Sequence, residues 1–140
     1  MLDYQKILNQ NMVNVLKDIL VNIKKNGLSD LNQLYITFLT NHKYVKIPSW
    51  LLNKYPNEIT IVLQYEYYDL KINKDSFNIT LSFNDVKTSL EIGYDSVISF
   101  ADPSANFGLK LITKVSNKKV KNKTIKNKDN VINFSNFKKN

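Results

Sequence analysis

"FNITLSF", residues 77–83, alternates without a break: Phe77, Ile79, Leu81 and Phe83 fall on one side, Asn78, Thr80 and Ser82 on the other. Successive side chains of a β-strand point to opposite faces, so this period of two predicts a strand with one face on a core. "ND" at Asn84–Asp85 offers a turn, and "SLEI" (Ser89–Ile92) is expected to return antiparallel. A hairpin at the centre of the chain is the seed around which the other segments are read.

Upstream, "ITIVLQY" (Ile59–Tyr65) is nearly all apolar at its centre, which predicts a strand buried on both faces. "LYITFLT" (Leu34–Thr40) has the β-branched and aromatic content of a strand, with "VKI" (Val45–Ile47) as its expected hairpin partner. "PSWLLNKYP" (Pro48–Pro56) allows one or two helical turns between prolines that resist extension. Downstream, "YDSVISF" (Tyr94–Phe100) reads equally as a short helix or a strand. "DPSANFG" (Asp102–Gly108) is loop chemistry, and "LKLI" (Leu109–Ile112) is a last strand. In front of all these, residues 3–25 predict an amphipathic helix. Tyr4, Leu8, Met12, Val15, Leu16, Ile19, Leu20 and Ile23 recur at spacings of three and four. "KKNG" ends it, with cations in the last turn and a glycine suited to a left-handed cap. So broad a stripe can lie on its own domain, pair with a second copy, or do both along different faces. The expected class is α+β, mostly β: one helix, then a small, strongly bent sheet or barrel.

At 140 residues the chain fits one modest domain with extensions, and 43% hydrophobic content is enough for a core. The absence of cysteine excludes disulfides and thiolate metal sites and points to a reducing cytoplasm. The N-terminus lacks the uninterrupted apolar core of a signal peptide, and no run approaches the roughly 20 apolar residues of a spanning helix, so no membrane is expected. Charge is uneven. Residues 1–112 balance 11 lysines against 11 acidic residues, while 113–140 hold nine lysines and only Asp129, carrying the whole +8. Residues 113–130, "TKVSNKKVKNKTIKNKDN", offer too little apolar surface to offset their ordering entropy and read as a disordered basic linker. Yet "VINFSNFKKN" (131–140) closes the chain with Val131, Ile132, Phe134 and Phe137 ahead of Lys138 and Lys139. Apolar surface at the end of a solvated tail implies a partner to bury it.

Candidate chemistry is sparse. His42 is the lone histidine and lies in a predicted turn, so neither a zinc cluster nor a facial triad can form around it. Three glycines make no phosphate-cradling loop, and Ser99 and Ser104 lack a nucleophile elbow. Glu66 and Asp69 stand close in "YEYYDL", as carboxylates do on any polar rim. No enzyme, cofactor or metal is expected. Tyr65, Tyr67 and Tyr68 are too crowded for every ring to be buried, and an exposed tyrosine beside a sheet edge suits an extended peptide. A rival reading is a small RNA-binding domain with a basic tail. It is weakened by a neutral folded part and by the absence of arginine, the usual reader of guanine edges and phosphates.

"LYITFLT", "IPSWLLNKYPNEITIVLQYEYYDL", "FNITLSFNDV" and "ISFADPSANFGLKL" together resemble SspB, the bacterial adaptor family that delivers ssrA-tagged proteins to the ClpXP protease, in its longer variant. The resemblance runs continuously over about residues 28–112. It implies an N-terminal dimerisation helix (1–27), a Sm-like or SH3-like bent sheet that binds the tag peptide (28–112), a flexible linker (113–130) and a ClpX-docking motif (131–140). On the family pattern the tag site would comprise Leu63, Tyr65, Leu81, Phe83 and Phe100, with Tyr68 closing one side; Phe77 and Ile79 share that face and are candidates for the core. Val131, Ile132, Phe134, Phe137, Lys138 and Lys139 would dock on the N-terminal domain of ClpX. Leu8, Met12, Val15 and Ile19 would form a homodimer interface. "YEYYDL" departs from the shorter family members, as does the short, basic linker.

Overall fold

A computed structural model describes residues 1–111. The expected linker and docking motif lie outside the described residues. The fold is an N-terminal helix followed by two antiparallel sheets, open rather than closed into a barrel.

Helix α1 (Tyr4–Asn26) starts at Asp3, whose carboxylate accepts the Lys6 N–H at 3.0 Å, the bond expected of an N-cap. It ends at Gly27, whose N–H donates to the Ile23 carbonyl at 2.7 Å. Gly27 has φ 76° and ψ 177°, an extended positive-φ conformation open essentially to glycine alone rather than the expected left-handed cap. Met12, Leu16, Leu20 and Ile23 are buried, so this edge of the stripe belongs to the chain's own core.

The first sheet has the order β3–β1–β7–β8 and is built from β1 (Leu34–Leu39), β3 (Glu58–Leu63), β7 (Val97–Asp102) and β8 (Phe107–Lys110). The second has the order β2–β6–β5–β4, from β2 (Val45–Lys46), β4 (Tyr68–Ile72), β5 (Ser76–Phe83) and β6 (Val86–Gly93). The central hairpin is as its alternation predicts: β5 and β6 pair from Ser76↔Gly93 to Phe83↔Val86. Asn84 and Asp85 both have positive φ, 51° and 67°, which is the twist of a two-residue hairpin turn. Phe77, Ile79 and Leu81 are buried, and Phe83 at the tip is half-buried.

Three expectations need correction. "VKI" is not the hairpin partner of β1, because both edges of β1 are taken by β3 and β7. Its first two residues, β2, instead pair with β6 (Val45↔Ile92), where Gly93 lets the chains approach and donates its N–H to the Tyr44 carbonyl at 2.9 Å. "ITIVLQ" is not buried on both faces. As an edge strand, β3 buries Ile59, Ile61 and Leu63 and exposes Glu58, Thr60 and Val62. "LKLI" as a strand starts two residues early, at Phe107, and stops at Lys110. The undecided "YDSVISF" divides into a 3-10 turn (Tyr94–Ser96) and strand β7, and α2 (Ser49–Lys54) supplies the short helix between the prolines.

Two irregularities bend the sheets. β7 carries one extra residue, Ile98, between the pairs Thr37↔Ser99 and Phe38↔Val97, and its carbonyl accepts the Leu111 N–H. β4 carries one extra residue between Tyr68↔Thr80 and Lys71↔Asn78, where Asp69 has φ 54°. One hydrophobic core joins α1 to both sheets, with Phe38, Phe77 and Phe100 among its largest fully buried side chains.

Candidate functional site

The start of β4 at Tyr68 sets where its pairing with β5 stops. β4 reaches only Thr80 of β5, so Leu81–Phe83 is hydrogen-bonded to β6 on one side and, among the described residues, has no strand on the other. In the first sheet, β3 pairs with β1 alone among the described residues. These two open edges flank a groove of about 270 Å³ lined by Thr60, Ile61 and Val62 of β3, Leu81, Ser82 and Phe83 of β5, and Glu66 from the connecting loop. A strand edge presents unpaired backbone N–H and C=O groups, which favour an added extended peptide; the alternating side chains beside it set which peptide fits. Val62, 38% exposed, and Phe83 bring apolar surface to the groove, and Glu66 is the one ionisable lining group among the described residues.

Of the six residues expected at a peptide site, Leu81 and Phe83 line this groove. Tyr68 is beside it: its hydroxyl donates to Glu66 Oε1 at a long 3.4 Å, and Lys87 Nζ stands 4.3 Å from the centre of its ring. Tyr65 is exposed in the β3–β4 loop. Leu63 and Phe100 are buried in the core instead, with 0% and 1% exposure. Leu63 falls on the inward phase of β3. Phe100 sits on β7, opposite Ile36 of β1, and packs at 6.1 Å from Phe107. Thr60, Ile61, Val62, Glu66 and Ser82 complete the lining and were not anticipated. For the outward pair Thr60 and Val62 the signal was the Glu58–Thr60 phase of β3, obscured because Val62 is apolar on the solvent side.

Helix α1 shows a second feature. Leu8 and Val15 are exposed, Ile19 is half-buried, and Met12 points into the chain's own core with 8% exposure. Val15 and Ile19 border a larger hollow of about 570 Å³ that also involves Ile23, Leu28, Leu34 and Phe107. Asp102 lies on its wall. Burial pushes this carboxyl up, but donors from the Ser104 and Asn32 side chains and from the Gln33 and Ser104 backbones outweigh burial and hold it below the ordinary carboxylate range. The Asn32 bond, Nδ2 to Oδ2 at 2.8 Å, ties the turn before β1 to the end of β7.

Two other groups have shifted acidity. Burial, with Asp75 nearby, pushes the Tyr94 phenol up to about 12. Its hydroxyl donates to the Asn73 carbonyl at 3.0 Å, Phe77 stacks on it at 5.9 Å, and Lys17 of α1 stands 4.8 Å over its ring. Burial also lowers His42, against the opposing pull of Asp95. Its Nδ1 accepts the Tyr44 N–H at 3.1 Å, which makes it a local turn contact. Among the described residues no cluster of His, Cys, Asp and Glu is arranged to hold a metal ion, and no helix is long and apolar enough to cross a membrane.

No individually curated protein matches the chain. The family model for SspB, stringent starvation protein B, matches residues 6–136, a span that takes in α1 from Lys6, both sheets, the groove and the C-terminal segment as far as Asn136. That family is one of ClpXP adaptors serving protein degradation, not of enzymes. With nearly its whole length matched and a groove between two open strand edges, this chain belongs to the SspB family.

Proposed function

We propose that the chain is a cytoplasmic adaptor that holds the ssrA tag in the groove between β3 and the end of β5 and tethers the tagged protein to ClpX through residues 131–140. The observation that carries this reading is the groove itself: two unpaired strand edges beside Val62, Leu81 and Phe83, in a member of a degradation-adaptor family. An extended tag would gain main-chain bonds from an open edge and apolar contact from these side chains, with Tyr65 and Tyr68 beside the site. Leu63 and Phe100 would act through packing beneath it. Residues 28–112 then form the tag-binding unit.

Residues 113–130 would serve as the tether, with a root-mean-square span of roughly 25 Å if they behave as a coil. Holding tag and unfoldase on one chain makes the second contact effectively intramolecular, at roughly millimolar local concentration, so each docking event alone can be weak and reversible. Phe134 and Phe137 would anchor the motif in an apolar groove of the ClpX N-terminal domain, with Val131 and Ile132 beside them and Lys138 and Lys139 steering approach. Helix α1, as an interface within residues 1–27, would pair two copies through Leu8, Val15 and Ile19, with Met12 supporting it from inside, and a dimer would present two tails.

The test is a titration of labelled ssrA peptide onto residues 1–112 and onto the full chain. Equal, saturable binding by both is the expected result. Binding by neither would sink the tag reading. RNA binding lost with residues 113–140, in place of peptide binding, would favour the RNA-binding rival.

A further inference from the structure

Trp50 is the only tryptophan in the chain and lies outside the expected site. It sits in the first turn of α2, a helix held in place by Leu51, which is 1% exposed, and by the Pro48 carbonyl, which accepts the Leu51 and Leu52 N–H groups at 3.1 Å. Trp50 itself is 43% exposed, so much of its indole is open to solvent. Its ring meets Phe83 nearly edge-on, with centroids 6.4 Å apart and planes at 77°. Phe83 lines the groove, so the apolar wall runs on from Phe83 to Trp50.

We infer that Trp50 is a specificity-determining residue of the groove: an exposed indole, propped against Phe83, that receives an apolar or aromatic side chain of the bound peptide. The inference rests on the tag-binding reading and adds to it the class of side chain selected beside Phe83. Main-chain pairing to a strand edge is indifferent to sequence, so discrimination must come from side-chain surfaces at the groove's margin, and a fixed aromatic gives large contact area with little rotamer entropy to lose.

The experiment uses the full chain and a labelled ssrA peptide, read by peptide anisotropy and, in parallel, by intrinsic tryptophan emission, for which Trp50 is the sole source. The expected result is a change in emission with the same midpoint as the anisotropy curve. Trp50→Ala should weaken binding about 5- to 30-fold, and Trp50→Phe should restore most of it. In a scan replacing each apolar residue of the peptide by alanine, one position should lose its effect in the Trp50→Ala background. Unchanged circular dichroism and thermal midpoint for Trp50→Ala would exclude misfolding as the cause. Saturable anisotropy with unmoved emission and less than twofold loss in Trp50→Ala overturns the inference and leaves tag binding standing. No anisotropy change with the unaltered chain overturns tag binding, and this inference with it.

Discussion

Gly93 sits where no other residue fits. A Cβ built there would lie 2.6 Å from Tyr44 Cβ and 2.9 Å from the Tyr44 carbonyl oxygen, and the latter is backbone that cannot swing aside. Gly93→Ala should therefore separate β2 from β6 and destabilise the fold by about 1–3 kcal/mol, seen as a lower urea midpoint. Tyr94 gives a prediction in pH. Its phenol titrates at about 12 in the folded chain against 10.0 for an unperturbed group, so the fold favours the neutral ring. The stability this contributes is fully present below pH 10 and is lost as pH rises through about 12. Tyr94→Phe should cost about 1 kcal/mol at neutral pH, through the bond to Asn73, and should flatten the decline in thermal midpoint above pH 10. Asp102 behaves oppositely. Its lowered pKa contributes stability above the unfolded carboxylate value of about 3.8, lost as pH falls through the folded one, and Asp102→Asn should remove that acid-side dependence. Such residues were scarcely legible in the sequence: "DPS" reads as a turn, but Asn32, the carboxylate's distant partner, is 70 positions away.

Among the elements, β3 and β4 govern the groove. β4 begins at Tyr68, opposite Thr80 of β5, and takes up one extra residue just after it, where Asp69 has a positive φ that aspartate tolerates and a β-branched residue does not. Asp69→Val should cost about 1–3 kcal/mol and shift the amide resonances of Leu81–Phe83, whereas Asp69→Gly should leave both nearly unchanged. The hairpin of β5 and β6 was plain from alternation alone, since an apolar face buried in register leaves a strict period of two. The partners of β1 were not. A strand's neighbours depend on which edges are already taken, and "VKI" lies close to β1 in sequence while pairing with β6 in the other sheet. The same ambiguity hid the burial of Leu63 and Phe100: an apolar residue on a strand looks identical whether it faces a core or a ligand. Leu81 and Phe83, expected from the family pattern, lie on the part of β5 nearest the hairpin tip and line the groove.

For the whole molecule, function on the proposed reading divides between a neutral folded unit and a basic tail. Phe134→Ala together with Phe137→Ala should abolish delivery of a tagged substrate to ClpXP while leaving peptide affinity within about twofold; loss of both activities would mean the tail belongs to the fold. Delivery should weaken with added salt if Lys138 and Lys139 steer docking, and tag binding by the neutral part should not follow it. The groove has a mechanical consequence as well. Its walls belong to separate sheets, so a tag lodged against β3 and the end of β5 would be a temporary strand. Force along a strand's axis loads its main-chain bonds together, whereas force directed away from the surface breaks them one after another. An unfoldase pulling outward on the tag would peel it free at low load, while the same tag, tugged lengthwise by its cargo, would hold.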